Sequence, residues 1–211
     1  MENMEKPKKT LARETMEWIL SILVAVVAAL LIKYFIFTPT LVKQGSMTPT
    51  ILDGERVWIS RFVRTFNAEL KRGDIITFEK PDAIDYENGV AYYNQINGVW
   101  RFLTHHVLEV DKVSYIKRVI GVAGDHVLIK NGNVYLNGEK LDEPYLKDDV
   151  KTPANGEFYD IQVPEGYIFA MGDNREGSVD CRVFGCIPLD KVEGRVTYRI
   201  WPLNKFGKID K

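Results

Sequence analysis

The chain has 211 residues, with 28 Lys plus Arg against 29 Asp plus Glu and a formal net charge of −1. That balance excludes the overall basic field of a nucleic-acid-binding protein. The 16 Gly and 9 Pro are scattered without a short period, which excludes a collagen, solenoid or low-complexity chain.

Residues 18–37 come first in the argument. Trp18 to Ile32 is apolar except for Ser21, and after Lys33 the run continues through Tyr34-Phe35-Ile36-Phe37. At ~1.5 Å per residue, about 20 residues cross the ~30 Å hydrocarbon core of a bilayer. A buried core helix would show a polar face, and this stretch shows none. A cleaved secretory signal would end in a small-x-small site before a polar mature start, whereas Ala25, Ala28 and Ala29 lie in mid-run. The stretch is therefore predicted to be a retained transmembrane helix, with Trp18 and Tyr34 in the aromatic belts and the Lys33 stem reaching the interface. Lys6, Lys8, Lys9 and Arg13 on one flank outweigh Lys33 and Lys43 on the other. This excess predicts a cytoplasmic tail at 1–17 and an extracytoplasmic domain at 38–211.

Beyond the anchor, Thr38-Pro39-Thr40 breaks the helix. Short strand signals then recur at 55–61, 74–78, 113–120, 126–130, 133–136, 159–163, 167–171 and 195–201. Asn131-Gly132 between two of them is a two-residue hairpin signal. No long segment of helical period follows the anchor. The expected fold is all-β: a mostly antiparallel sheet or barrel-like domain behind a single N-terminal transmembrane helix, with 126–165 as a smaller β lobe. Residues 80–112 read as an insertion, since Lys80 to Asn97 is rich in Asp, Asn, Gly and Tyr and suits a hairpin or loop. Glu139 to Gly156 is polar, holds two prolines and reads as surface.

Ser46 stands in Gly45-Ser46-Met47-Thr48-Pro49-Thr50, close beyond the anchor. A serine hydroxyl is a poor nucleophile until a base takes its proton. None of the three histidines, His105, His106 and His126, has an aspartate partner at a recognisable motif. Adjacent strand residues point to opposite faces, so His105-His106 does not make a metal pair. Lysine can serve as the base if neutral, which requires lowering its pKa from about 10.4 to about 7–8, a differential cost of roughly 4 kcal/mol. Burial can do this, and arginine is excluded because it does not lose its proton. In Tyr115-Ile116-Lys117-Arg118-Val119 that leaves Lys117, with Tyr115 and Val119 on its face of the strand and Ile116 and Arg118 on the other. Taken alone, such a lysine reads as a solvated surface residue.

Four blocks occur in order behind the anchor: Gly45-Ser46-Met47-x-Pro49-Thr50; Arg72-Gly73-Asp74-Ile75-Ile76-Thr77-Phe78; Tyr115-Ile116-Lys117-Arg118-Val119-Ile120-Gly121 with Gly124-Asp125; and Gly172-Asp173-Asn174-Arg175-x-x-Ser178-x-Asp180-x-Arg182 with Phe184-Gly185. Together they closely resemble type I signal peptidase, a membrane-bound Ser/Lys protease that removes signal peptides. The resemblance implies Ser46 as the acylating nucleophile, Lys117 as general base and Ser178 as the hydroxyl that orients the lysine amine. It implies structural ion pairs of Arg118 with Asp173 and of Asp180 with Arg182, and an antiparallel β fold with an apolar surface that meets the bilayer. The expected partners are preproteins with small-x-small cleavage sites and the lipid bilayer, with no nucleic acid, metal or organic cofactor. The chain departs from the family at Gln44, where a small residue commonly assists the oxyanion hole. The Ser46 backbone N–H is the secure donor there, and the Gln44 amide is a second candidate. Cys181 stands where serine is common and free thiols are favoured over a Cys181–Cys186 bridge, which would need a turn. The link between Phe78 and Val113 looks longer than the family's. Two other readings stay open: a self-cleaving Ser/Lys domain of the kind fused to SOS repressors, and a silent membrane-tethered β-domain that binds a partner.

Overall fold

A computed structural model describes residues 11–94, 98–102, 104 and 113–209. His105 and His106 lie outside the described residues, as does most of the later part of the expected insertion.

Helix α1 (Leu11–Phe35) carries the apolar run, and none of its residues is buried. It is the one described helix long and apolar enough to cross a membrane. It begins seven residues before the predicted start at 18, because Leu11 to Glu17 are good helix formers braced by Arg13–Glu17 at 3.3 Å. Hydropathy marks the apolar slab and not the helix itself. At the other end Phe37, expected in the helix, belongs to strand β1 (Phe37–Leu41), where it pairs with Ser60.

The helix joins the sheet almost without a linker. Thr38 Oγ1 donates to the Lys33 carbonyl at 2.9 Å, Arg61 N–H donates to the Ile36 carbonyl at 2.8 Å, and the Arg64 guanidinium lies 4.1 Å from the Tyr34 ring centroid. Arg64 sits on the short helix α2 (Phe62–Phe66), which follows β2 (Arg56–Ser60).

The remaining strands are β3 (Ile75–Glu79), β4 (Ala83–Asp85), β5 (Val90–Tyr92), β6 (Ser114–Val122), β7 (His126–Lys130), β8 (Asn133–Leu136), β9 (Glu139–Lys140), β10 (Asp160–Gln162), β11 (Tyr167–Met171), β12 (Ile187–Pro188), β13 (Val192–Trp201) and β14 (Gly207–Lys208). Short helices α3 (Val99–Phe102) and α4 (Cys181–Phe184) complete the elements. The main sheet runs β1-β2-β13-β3-β6-β11-β12, with β14 also on β13, and every pairing in it is antiparallel. The fold is thus the mostly antiparallel β architecture that the strand spacing implied.

β13 is the hub, since it pairs with β2, β3 and β14 and breaks register at Val192/Gly194, Val196/Tyr198 and Arg199/Trp201. Such bulges bend and twist a strand, which lets one element serve several neighbours. A second sheet, β10-β7-β8-β9, spans the region from His126 to Gln162. Asn131 and Gly132 both have positive φ, 53° and 78°, as a two-residue turn between β7 and β8 requires. β4 and β5 form a separate hairpin inside the region read as an insertion, docked through a bridge from Val90 to Cys186.

Apolar side chains collect on both faces of the main sheet. One cluster holds Ile76, Phe78, Val119, Phe169 and Met171; the other holds Met47, Ile51, Val57, Ile59, Ile75 and Val196. β3 and β6 therefore bury side chains on both faces, with Thr77, Lys117 and Arg118 among them.

Candidate active site

The site forms where the segment after β1 folds back over β6. Tyr115, Lys117 and Val119 share one face of β6, and Lys117 is paired across the strands with Ile76. The lysine is 2 % exposed, and its Nζ lies 5.2 Å from the Tyr115 ring centroid. Burial lowers its pKa to about 8, against the opposing pull of the Asp180 carboxylate. Lys117 Nζ donates to Ser46 Oγ at 2.9 Å, 71 residues away in sequence. Ser46 is itself buried, and its hydroxyl donates to the Ile116 carbonyl at 3.5 Å. The two residues singled out from the sequence thus meet at hydrogen-bond distance.

The loop after β11 holds the Ser46 segment from behind. Asn174 N–H donates to the Ser46 carbonyl at 3.0 Å and Asn174 Nδ2 to the Gly45 carbonyl at 3.1 Å. Gly172 packs so closely that any side chain there would collide with the Ser46 carbonyl oxygen and the Ser178 hydroxyl. Ser178 is therefore close to Ser46, and it is buried. Its Oγ makes no hydrogen bond among the described residues, so the expected contact to Lys117 is not formed in this structure.

Charged clamps fix that loop. Arg118 makes two hydrogen bonds to Asp173, at 2.9 and 2.8 Å, and both side chains are fully buried. Thr50 Oγ1 donates to Asp173 at 2.5 Å, which ties the turn after Ser46 to the same carboxylate. Arg182 likewise makes two bonds to Asp180, each 2.8 Å, while Asp180 Oδ2 accepts from Gly172 N–H at 3.0 Å.

A third clamp was not read from the sequence. Arg175 Nε donates to the Gly172 carbonyl at 3.1 Å and its other nitrogens bond Glu143 and Thr152. Tyr145 donates to Glu143 at 2.8 Å and lies 3.8 Å under the Arg118 guanidinium. Residues 139–156, read as a polar surface stretch, thus cover the buried arginines. Arg175 stood in a quoted motif, but no spacing rule links it to a glutamate 32 residues earlier.

Gln44 lines the groove beside Ser46; it is exposed, has φ 129°, and its backbone N–H donates to Asp53 Oδ1 at 2.8 Å. That φ is unusual for a non-glycine residue, and the turn it makes redirects the chain toward Ser46. Cys181 and Cys186 are both free and buried, and Cys181 Sγ accepts from Ala170 N–H at 3.1 Å. His126, which had no visible partner in the sequence, lies 2.6 Å from Asp160 on the smaller sheet, where both are exposed.

A groove of about 420 Å³ opens onto Ser46. Thr40 to Gln44 form one side, Val113 to Ile116 the other, and Val57, Ile59 and Thr77 lie between. Val42, Val57 and Ile116 give the groove an apolar lining.

With this geometry in view, the likeness to known proteins becomes specific. The family model for signal peptidase, peptidase S26, matches residues 15–201. Signal peptidase I of Bacillus licheniformis is 37% identical over 201 residues, covering 92% of each chain. Signal peptidase I T of Bacillus subtilis (strain 168) is 36% identical over 210 residues, covering 96% of this chain and 94% of that one. A crystal structure of a signal peptidase I from Enterococcus faecalis V583 overlaps with a TM-score of 0.42 at 26% identity, covering 62% of this chain and 98% of that chain. On the family match and the near full-length identity, the chain belongs to the signal peptidase family, peptidase S26.

Proposed function

We propose that this chain is a single-pass membrane serine endopeptidase that cleaves N-terminal signal peptides from exported preproteins, using Ser46 and Lys117 as its catalytic dyad. The observation that carries this reading is the buried amine 2.9 Å from a buried serine hydroxyl. A neutral Lys117 accepts the Ser46 proton across that distance, and Ser46 Oγ attacks the carbonyl of the scissile bond. The Ser46 backbone N–H stabilises the oxyanion. Lys117 then gives its proton to the leaving amine, releasing the mature protein. A water deprotonated by the same amine frees the signal peptide from Ser46. The buried Ser178 hydroxyl, without a hydrogen bond among the described residues, is available to orient the neutral amine, and the Arg118–Asp173 and Asp180–Arg182 pairs keep the loop in place. Gln44 contributes its backbone turn, and its side-chain amide is the second candidate donor to the oxyanion.

The reading includes a topology. Residues 1–17 lie in the cytoplasm, the apolar helix spans the bilayer, and the β domain stands outside. Preproteins with small-x-small cleavage sites meet the groove at the lipid surface, where anchoring replaces a three-dimensional search by a local one. The test is incubation of the purified full-length chain, in vesicles, with a preprotein, followed by mass analysis of the new N-terminus. The expected product begins directly after a small-x-small site. An intact preprotein, or a cut only within the enzyme itself, would overturn the reading.

The lowered pKa of Lys117 fixes the pH profile. A base that works only when neutral is inactive below its pKa. The value of kcat/KM should rise about tenfold per pH unit up to about 8 and level off above it. A profile that is flat between about pH 6 and 8 would count against Lys117 as the base.

A further inference from the structure

The peptide unit between Gly45 and Ser46 is held at one end only. Its carbonyl, on Gly45, accepts from Thr48 N–H at 3.2 Å and from Asn174 Nδ2 at 3.1 Å. Its N–H, on Ser46, donates to no group among the described residues. The bond from Thr48 closes the turn on itself. The bond from Asn174 crosses 129 residues of sequence and ties the turn to the loop after β11. The Asn174 side chain can face only one way there: its Oδ1 accepts from Gly177 N–H at 3.2 Å, which leaves Nδ2 for the Gly45 carbonyl. With its backbone N–H on the Ser46 carbonyl at 3.0 Å, this one residue grips the peptide units on both sides of Ser46.

A trans peptide is planar, and its N–H points opposite to its C=O. Holding the Gly45 carbonyl therefore fixes the direction of the Ser46 N–H. No residue from 172 to 178 lines the groove, whereas Ser46 does. A carbonyl turned toward that loop sends its N–H the other way, to the groove side. Resting on the peptidase function proposed above, we infer that Asn174 is a positioning residue for the reaction: its side-chain amide holds the Gly45 carbonyl and so aims the Ser46 N–H at the oxyanion.

The oxyanion arises when Ser46 attacks. The Oγ–C bond forms, the carbonyl π electrons move onto oxygen, and the Ser46 proton passes to the neutral Lys117 amine. A donor already aimed at that oxygen costs no reorganisation at the moment of reaction. The bond from Asn174 also polarises the peptide unit, which strengthens its N–H as a donor.

The test is Asn174→Ala in the full-length chain in vesicles, which removes the amide, adds no charge and keeps the backbone bond to Ser46. For a preprotein, kcat should fall by at least about tenfold, short of the ~10²–10³ lost when an oxyanion donor is removed outright, with KM within about twofold. Inhibitor binding separates aiming from a loosened fold. A peptide boronic acid forms a tetrahedral anion on Ser46, whereas the peptide amide of the same sequence binds without bonding. The inhibition constant of the boronic acid should rise by about the factor that kcat loses, while that of the amide stays within about twofold. Neither constant depends on how much enzyme is folded. Asn174→Asp restores the acceptor for Gly177 but not the donor to Gly45, so it should remain impaired. A loss of kcat under about tenfold in Asn174→Ala, equal weakening of boronic acid and amide, or recovery in Asn174→Asp overturns the role of Asn174. The peptidase reading is judged apart from these: it fails only if Ser46→Ala still cuts the preprotein or the unaltered chain does not.

Discussion

Lys117→Ala is expected to lower kcat/KM for preprotein cleavage by at least about 10³-fold, and Ser46→Ala to do the same, with the double variant no worse than either alone. Groups that act as one unit lose nearly everything when either member goes, and the residue left over comes from binding and the oxyanion donor. Lys117→Arg should not rescue, because it keeps the charge but offers no neutral form. Stability supplies an independent readout. Lys117 is held at a pKa of about 8 by burial, whereas an unfolded lysine titrates near 10.4. Below about pH 8 the amine is charged in both states, and its burial works against folding by about 3 kcal/mol. Between about pH 8 and 10.4 the unfolded chain binds more protons than the folded one, so stability rises with pH. Lys117→Met should therefore be more stable than the unaltered protein at pH 7, with the difference shrinking as pH climbs through that window. Thermal melts at several pH values measure it. Activity of Lys117→Ala within about tenfold of the unaltered protein would remove the lysine from the mechanism.

Asp173→Ala should cost about 3–5 kcal/mol of domain stability, the second large effect. It strands the fully buried Arg118 guanidinium without its carboxylate, and an unpaired buried charge is among the most damaging changes a fold can meet. Thr50 loses its acceptor as well, so the turn after Ser46 loosens. For a domain of this size the midpoint of thermal unfolding should drop by roughly 6 to 20 °C. Replacing both partners with apolar residues, Arg118→Met with Asp173→Leu, should recover much of that loss, since desolvation offsets most of what a buried ion pair contributes. A double-mutant cycle followed by urea unfolding provides the measurement. A loss below about 1 kcal/mol for Asp173→Ala would show that the pair is peripheral to the fold.

The sequence made some of this legible for definite reasons. The hairpin of β7 and β8 could be read because Asn131-Gly132 is one of the few dipeptides that accepts positive φ at both positions. The pairing of Ser46 with Lys117 could be read because both stand in the four ordered blocks that resemble type I signal peptidase; the need of a serine for a base did not by itself single out one strand lysine. Antiparallel β architecture followed from short strands separated by turns.

Other features were hidden by the nature of the signal. β1 was lost because Pro39 reads as a breaker, although a proline is tolerated on an edge strand such as this one. The Glu143–Arg175 clamp was lost because a long-range ion pair leaves no periodicity in a polar segment. The unpartnered state of Ser178 and the twisted backbone at Gln44 are matters of fractions of an ångström and of dihedral angle, which residue types do not encode.

The seam between α1 and β1 has one more consequence. Ile36 alone separates helix from strand, and bonds from Thr38 and Arg61 fasten the two together. With no slack at that hinge, the trough cannot swivel independently of the rod that carries it. Any change in the rod's tilt is passed to Ser46, as a handle moves what is fixed to it, and the height of Ser46 above the rod is set by the architecture.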